Sequence, residues 1–212
     1  LHDFYDSPHV YGHMVFSDFL EWIEFTIEAF EEYRIPYIIK PHPNQIPDSQ
    51  TVVESLEQKY PNANFISSKI TNKQLVDNGV KIGLSVYGTV AHELVYMGIP
   101  VILCGKNPHS SYDFCFTARS KNEYRDLLKN CMNINFTQGY KQEVESFYYM
   151  HNLNKTEHSK VLMESFIELF VYCNNNKGVF NEMYFIKTLN KIGKNKDFVK
   201  FIEMLKRNIS VK

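Results

Sequence analysis

The segment Lys81–Leu103 predicts a strand, a tight turn, a helix and a second strand in direct succession. Ile82–Val86 and Val101–Leu103 are short apolar runs typical of buried strands. Between them the spacing predicts a helix over Val90–Met97, and Gly98 ends it. Strands joined by a helical crossover pair in parallel, because the helix returns the chain to the same end of the sheet. The segment therefore constrains the chain to an α/β fold with a parallel sheet.

Elements of the same alternating kind are predicted on both sides of this segment. Ser17-Asp18 is typical of a helix cap, and an apolar stripe at helical spacing follows it. The other predictions are strands over 36–40 and 64–66, helices over 48–60, 72–77 and 120–130, and a loop over 107–119. Beyond residue 130 the pattern is helical, with helices predicted over 158–172, 179–189 and 197–205. We therefore expect an α/β domain in residues 1–130 and a helical tail in residues 131–212.

Charge and cysteine content limit the partners that the chain can have. Its 212 residues carry 23 basic and 24 acidic side chains, so no overall field attracts nucleic acid. The four cysteines are far apart and form no C-x-x-C pair, which favours reduced thiols over a zinc or redox motif. No apolar run approaches the roughly 20 residues that span a bilayer. We expect a cytoplasmic protein that binds any anion locally.

The turn at Gly88-Thr89 is the first candidate site. The Ser85 and Thr89 hydroxyls and the start of a helix meet at the carboxyl end of a parallel strand, where open α/β sheets bind ligands. Glu93 lies four residues after Thr89 and hence on the same helical face, where a carboxylate can accept hydrogen bonds from a ribose diol. We predict that the turn binds phosphate and that Glu93 binds ribose. The alternative is that Glu93 is an ordinary solvated charge.

The second candidate is Lys40-Pro41-His42-Pro43, at the end of a predicted strand. A lysine and an imidazole between stiff prolines can both donate to anionic oxygens with little loss of entropy. We predict that Lys40 and His42 bind a diphosphate or a departing phosphate. A strand-end turn with a surface lysine and histidine is the alternative.

The opening segment is the third candidate because it combines imidazole and carboxylate groups: His2, Asp3, Asp6, His9 and His13. Their spacing fits no helical zinc motif, so no metal site is predicted. A substrate loop with a general acid or base is favoured, and Asp6 and His9 are its predicted carriers. A solvated loop is the alternative. Asn107–Asp113, with Arg119 beyond it, is a weaker candidate for a loop that closes over a base or sugar.

Three segments taken together carry a family resemblance: D-S-P-H…F-x-D-F-L-E-W, I-I-K-P-H-P-N and L-S-V-Y-G-T-V-A-H-E-L-V-Y-M-G-I-P-V-I. They resemble the carboxyl-terminal half of bacterial capsule polysaccharide biosynthesis proteins, which are GT-B glycosyltransferases related to Kdo transferases. The resemblance covers about Leu1–Leu128. It implies a Rossmann-like parallel sheet with flanking helices that binds a nucleotide sugar. It also implies an amino-terminal half, outside this sequence, that supplies much of the acceptor site.

The resemblance also implies roles for individual residues. Glu93 stands five residues before Gly98, like the acid of the E-A-x-x-x-G-x-P-V element that binds the donor ribose. Many GT-B enzymes have a second glutamate at the position of Ser85, and Ser85 resembles the serine-containing version of this element in capsule and sialyl-type enzymes. His42-Pro43 resembles the His-Pro motif of sialyl- and Kdo-transferases, whose histidine contacts the cytidylate phosphate. The resemblance is compatible with a CMP-linked acidic sugar as donor, and it does not exclude UDP or CDP donors.

The predicted function is transfer of a sugar from a nucleotide sugar to a growing polysaccharide or glycolipid acceptor. No metal and no other cofactor is expected, because Lys40, His42 and the Gly88-Thr89 turn would stabilise the charge on the leaving phosphate. Asp6, or a residue of the amino-terminal half, would be the base. The alternatives are a nucleotide-sugar 2-epimerase and a non-catalytic capsule assembly module that binds partners through its tail. Peripheral association with a capsule assembly complex, at the inner face of the cytoplasmic membrane, is a further open alternative.

Overall fold

The computed structural model describes residues 1–6, 9, 11–109, 111–136, 139–153 and 182–196, and the separate positions 164, 167, 168, 171, 172, 175, 199, 200 and 203. The described residues form a mostly helical α/β structure with a small parallel sheet. The chain divides into two compact units, Leu1–Tyr148 and Tyr149–Lys212. The helices predicted over 158–172 and 197–205 fall mostly outside the described residues.

Three short strands form the sheet, in the order β1-β2-β3 and all in parallel: β1 (Gly83–Ser85), β2 (Val101–Cys104) and β3 (Phe116–Ala118). Every residue of the central strand β2 is buried, as its continuous apolar run predicts. β1 and β2 lie within a residue or two of their predicted bounds. The fold therefore contains the parallel strand pair that the sequence predicts.

Two predictions about strands need correction. The segment predicted as a loop, 107–119, contains β3, which has only three residues and so presents no alternating pattern. The strands predicted over 36–40 and 64–66 contribute only one parallel bridge, between Ile39 and Phe65. Pro36 begins that first segment and Pro41 and Pro43 follow it, so residues without an N–H donor limit the extension of its pairing in both directions.

Seven α-helices have bounds within the described residues, beside a 3-10 helix (Cys131–Asn133) and a π-helix (Tyr149–Leu153). The α-helices are α1 (Phe19–Tyr33), α2 (Pro47–Lys59), α3 (Asn72–Asp77), α4 (Val90–Tyr96), α5 (Lys121–Lys129), α6 (Tyr140–Tyr148) and, in the second unit, α7 (Glu182–Gly193). The predicted cap of α1 is confirmed, because the Asp18 carboxylate accepts the Glu21 N–H at 2.8 Å. Arg34 ends α1 in the left-handed conformation, with φ of 56°. None of the helices in the described ranges has the length and apolar character that a bilayer crossing requires.

α6 packs in the first unit although the sequence analysis assigns it to the tail. Its buried side chains Val144 and Phe147 share an apolar cluster with Leu94, Leu103 and Phe114 from α4, β2 and the segment before β3. The contacts thus divide the chain at Tyr148, whereas the sequence pattern predicts a boundary at residue 130. No helix was predicted over Tyr140–Tyr148 specifically, and a helical pattern would not by itself indicate which unit the apolar face of α6 contacts.

Buried side-chain hydrogen bonds join α1 to α5. Trp22 Nε1 donates to the Tyr124 hydroxyl at 2.8 Å, and Thr26 Oγ1 lies 3.1 Å from the same hydroxyl. Thr26 Oγ1 also donates to the Trp22 carbonyl at 2.7 Å, so the Tyr124 O–H donates to Thr26. Burial raises the pKa of Tyr124, which keeps it a neutral donor. The three groups satisfy one another where water has no access.

Tyr124→Phe should lower the free energy of unfolding by about 1–3 kcal/mol, because it leaves the Trp22 indole N–H buried without its acceptor. Tyr37→Phe is the matched control, since that hydroxyl contacts Glu31 at 3.3 Å in a half-exposed position. We expect the control to change stability by less than about 0.5 kcal/mol. Urea unfolding measures both, and equal losses would contradict the role assigned to Tyr124.

Candidate functional site

Lys40 and Glu93 belong to one hydrogen-bonded network, although the sequence analysis selects them from separate motifs. Lys40 Nζ donates to Asn72 Oδ1 at 3.3 Å, and Asn72 Nδ2 donates to Glu93 Oε2 at 2.8 Å. Lys40 and Asn72 are half-buried, whereas Glu93 is exposed on α4. An amide thus lies between a cation and a carboxylate at the molecular surface. We call these three residues the Lys40–Asn72–Glu93 network.

Asn72 is a site residue that sequence reasoning missed. It is the first residue of α3, a helix predicted with the same bounds, but asparagine near a helix start ordinarily indicates capping. Here Thr71 makes the cap instead. Its side chain accepts the Gln74 N–H, and the Gln74 side chain accepts the Thr71 N–H. The capping box of Thr71 and Gln74 is visible in the sequence, and it indicates that the Asn72 amide is not needed to cap α3 and can bond elsewhere.

His42 lies two residues after Lys40 in the sequence and offers a second donor. Its Nδ1 accepts the Asn44 N–H at 3.2 Å, which assigns the proton of the neutral ring to Nε2. Nε2 has no hydrogen-bond partner among the described residues. His42 also lies near the Asp3 carboxylate. A half-exposed N–H donor beside a lysine suits an anionic oxygen.

His2 holds the turn that follows β1. Its Nε2 accepts the Val86 N–H at 3.2 Å and lies 3.2 Å from Ser85 Oγ. Because Nε2 accepts the Val86 N–H it carries no proton, so the Ser85 hydroxyl donates to it, and the same Ser85 oxygen accepts the Gly88 N–H at 3.2 Å. Burial lowers the pKa of His2 to about 3, which keeps the ring neutral with its proton on Nδ1. His2 therefore joins the opening segment to the end of the sheet.

The turn residues divide into those with internal partners and those that face outward. Ser85 is only 4% exposed and is engaged by His2 and Gly88, so its predicted ligand contact stays a prediction. Gly88 permits close packing, since a Cβ there would lie 3.1 Å from Ser85 Oγ. Thr89 is exposed and its side chain does not cap α4. Because α4 has seven residues, any phosphate site here depends on side chains more than on the helix dipole.

Asp3 is the buried carboxylate of the opening segment. Its Oδ1 accepts the Ser49 hydroxyl at 2.6 Å and the Tyr5 N–H at 3.0 Å, and its Oδ2 accepts the Ile46 N–H at 2.9 Å. Burial alone would raise the pKa of Asp3, but these hydrogen bonds, with Ser49 first, hold it below its usual range. An ionised Asp3 thus ties the opening segment to the start of α2.

The structure does not bring Asp6 or His9, the predicted acid–base residues, into the Lys40–Asn72–Glu93 network. Both are exposed. His9 Nδ1 accepts the Met14 N–H at 3.2 Å. Asp6 lies near Tyr87, since burial and then the Asp6 charge raise the pKa of that tyrosine to about 12. Asp6 is therefore beside the turn, and the catalytic roles of Asp6 and His9 stay predictions.

The loop after β2, the weaker candidate, contains hydrogen bonds between its own residues. Asn107 Nδ2 donates to the Gly105 carbonyl at 3.0 Å, and Asn107 Oδ1 accepts the His109 N–H at 2.8 Å. His109 is 1% exposed and its Nε2 lies 3.3 Å from His92 Nδ1. His92 thus contacts this loop and not the Glu93 side of α4. Within the described part of the chain, no group of three metal-ligating side chains occurs.

Two open grooves, of about 400 and 690 Å³, lie in the second unit. The first adjoins the stacked rings of Tyr172 and Tyr184, whose centroids are 3.7 Å apart, and the second runs along α7. Both are mainly apolar. The polar groups of the predicted site all lie in the first unit, so the candidate site is an open surface there and not one of these grooves.

The comparisons with known proteins provide no match from which the role of the site could be inferred. No protein-family model matches the chain. Searches of curated proteins and of solved structures found no significant match either.

Proposed function

We propose that this chain is the nucleotide-sugar-binding domain of a metal-independent glycosyltransferase, the Rossmann-like carboxyl-terminal half of a GT-B enzyme that makes capsular or related polysaccharide. The Lys40–Asn72–Glu93 network is the observation that carries the proposal. It joins a predicted phosphate-binding lysine to a predicted ribose-binding carboxylate through two hydrogen bonds. A nucleotide has its phosphate and its ribose only a few bonds apart. A site that binds it therefore needs a phosphate-binding group and a ribose-binding group close together.

Lys40 and His42 would act on the leaving group. When the acceptor hydroxyl attacks the sugar, the bond from the sugar carbon to the phosphate oxygen breaks and its electron pair remains on that oxygen. The Lys40 ammonium and the His42 Nε2–H can donate to the developing charge, and such donors are strongest where they are already oriented. The acceptor proton would pass to a base, either Asp6 or a group of the amino-terminal half.

Glu93 would position the donor through its ribose. Its Oε2 is engaged by Asn72, while Oε1 has no partner among the described residues. A ribose hydroxyl can donate to that oxygen and hold the nucleotide while the sugar departs. A CMP-linked sugar suits the site because a single phosphate connects its ribose to its sugar, and that phosphate leaves with the nucleotide. UDP and CDP donors present the same groups with a longer bridge, and the titration below compares them.

Titration of the 212-residue chain with CMP, CDP, UDP and GDP tests the proposal, with calorimetry or NMR shifts as the readout. Glu93→Gln and His42→Ala should each weaken binding of the preferred nucleotide about tenfold, because each removes a hydrogen bond to or from a charged group. Glu57→Gln is the matched control, since Glu57 is an exposed glutamate on α2, a helix that lies between Lys40 and Asn72 in sequence and contributes no residue to the network.

The controls and the product decide among the alternatives. Equal weakening by Glu57→Gln, or absence of saturable binding at millimolar nucleotide, would contradict the proposal and favour a non-catalytic assembly module. A 2-epimerase would convert a free UDP-sugar without an acceptor, whereas a glycosyltransferase would release nucleotide only when sugar is transferred. Product analysis with and without an acceptor glycan therefore separates the two activities.

A further inference from the structure

We propose that Asn72 is a positioning residue that orients the Glu93 carboxylate toward a ribose hydroxyl, and so gives the site its preference for ribonucleotides. The inference rests on the proposed nucleotide-binding function and adds a specificity-determining residue to it. Neither the sequence motifs nor the predicted roles of Lys40 and Glu93 assign a role to Asn72.

The chemistry of its two neighbours fixes the Asn72 amide. A lysine ammonium can only donate hydrogen bonds, so it must face the amide oxygen. An ionised carboxylate can only accept, so it must face the amide nitrogen. The observed contacts, 3.3 Å from Lys40 Nζ to Oδ1 and 2.8 Å from Nδ2 to Glu93 Oε2, satisfy both requirements. The amide therefore has one favourable orientation, and it specifies which Glu93 oxygen is engaged.

The helix itself does not require the Asn72 side chain. Thr71 and Gln74 complete the capping box of α3 through hydrogen bonds of 3.2 and 2.8 Å to each other's backbone N–H groups. Asn72 is half-buried at the first helical position, and among the described residues its side chain hydrogen-bonds with Lys40 and Glu93 alone. A substitution at Asn72 should therefore leave α3 intact while it removes the contact with Glu93.

Orientation of Glu93 matters because its side chain is exposed. An unrestrained glutamate populates several rotamers, and a ligand that needs one of them must bear the entropy of ordering it. With Oε2 held by Asn72, Oε1 is the oxygen left for a ligand hydroxyl. Asn72 thus strengthens a contact made with the ribose diol, and a nucleotide without that diol should be insensitive to it.

The test compares CMP with 2′,3′-dideoxy-CMP, or UDP with its dideoxy form if UDP binds more tightly. In the unmodified chain we expect the ribonucleotide to bind about tenfold more tightly, as one hydrogen bond to a charged group provides. Asn72→Asp keeps the shape of the side chain and an acceptor for Lys40 but lacks the donor for Glu93. Asn72→Asp and Asn72→Ala should both reduce the ratio of ribonucleotide affinity to dideoxynucleotide affinity to about twofold or less.

The ratio of the two affinities is the readout, because general damage or added charge lowers both affinities together. Lys73→Ala is the matched control on the same helix turn. Lys73 is exposed, and its one ion pair among the described residues is with Asp77. If the preference persists in Asn72→Asp but is lost in Glu93→Gln, the positioning role is wrong and the nucleotide site stands. If the unmodified chain binds neither ribonucleotide, the proposed function is wrong and this inference with it.

Discussion

Gly105→Ala should lower the free energy of unfolding by at least about 3 kcal/mol, whereas Gly79→Ala should lower it by only about 1 kcal/mol. Both glycines have positive φ, 93° and 88°, so alanine is strained to a similar degree at either position. Their surroundings differ. A Cβ at Gly79 would meet nothing within 4 Å, but at Gly105 it would lie 2.6 Å from the His13 carbonyl oxygen and 2.7 Å from Met14 Cα.

The atoms that approach Gly105 are backbone atoms, which cannot rotate away as a side chain can. The chain after β2 and the end of the opening segment are also joined there, because the Lys106 N–H donates to the His13 carbonyl at 2.8 Å. A Cβ would separate the two segments and break that bond. Urea unfolding of both variants measures the difference. Equal losses would mean that strain alone determines the cost and that the opening segment does not pack on this strand end.

Lowering the pH from 7 to 5 should reduce the free energy of unfolding by about 2 kcal/mol through His2 alone. The pKa of His2 is about 3 in the folded protein, mainly because of burial, and 6.5 is its ordinary value. Between these values the unfolded chain binds more protons than the folded one. The stabilising contribution is therefore fully present above pH 6.5 and is lost progressively as the pH falls toward 3.

His2→Gln is the control for this pH dependence. Glutamine can place an oxygen near the position of Nε2 and accept the Val86 N–H, but it does not titrate in this range. The buried carboxylate Asp3 has a lowered pKa with an ordinary value of 3.8, so its own contribution is lost below about pH 5. Burial also lowers the pKa of the Leu1 α-amino group to about 5, so this group adds to the decline between pH 7 and 5 in both proteins. Thermal unfolding in that range should thus show a smaller decline in the variant, but not its complete loss. A decline of unchanged size would contradict the role assigned to His2.

The elements predicted well are those whose signal is local. β1 and β2 are apolar runs bounded by glycine and proline, and α3 follows a capping box contained in four residues. β3 was missed because its three residues are a strand only through their pairing with β2. The segment 36–40 shows the opposite case. Its apolar content predicted a strand, but the prolines around it limit its pairing to one bridge.

The candidate site shows the same division between local and distant signals. Motif spacing identified Lys40, His42 and Glu93. Asn72 was missed, and the contact of His2 with Ser85 was not predicted, because these roles depend on partners 21 and 83 residues away in sequence. The sequence analysis names His2 and Asp3 in the opening segment but favours Asp6 and His9 there, and no sequence pattern indicates that His2 and Asp3 are the buried pair.

The buried contact between α1 and α5 also has a spectroscopic consequence. Trp22 is the only tryptophan of the chain, it is 3% exposed, and its indole N–H donates to Tyr124. Its fluorescence emission therefore arises from a single place in the first unit. Unfolding followed by that emission reports the separation of α1 from α5, while far-ultraviolet circular dichroism includes the helices of both units. If the two curves do not coincide, the two units unfold in separate steps.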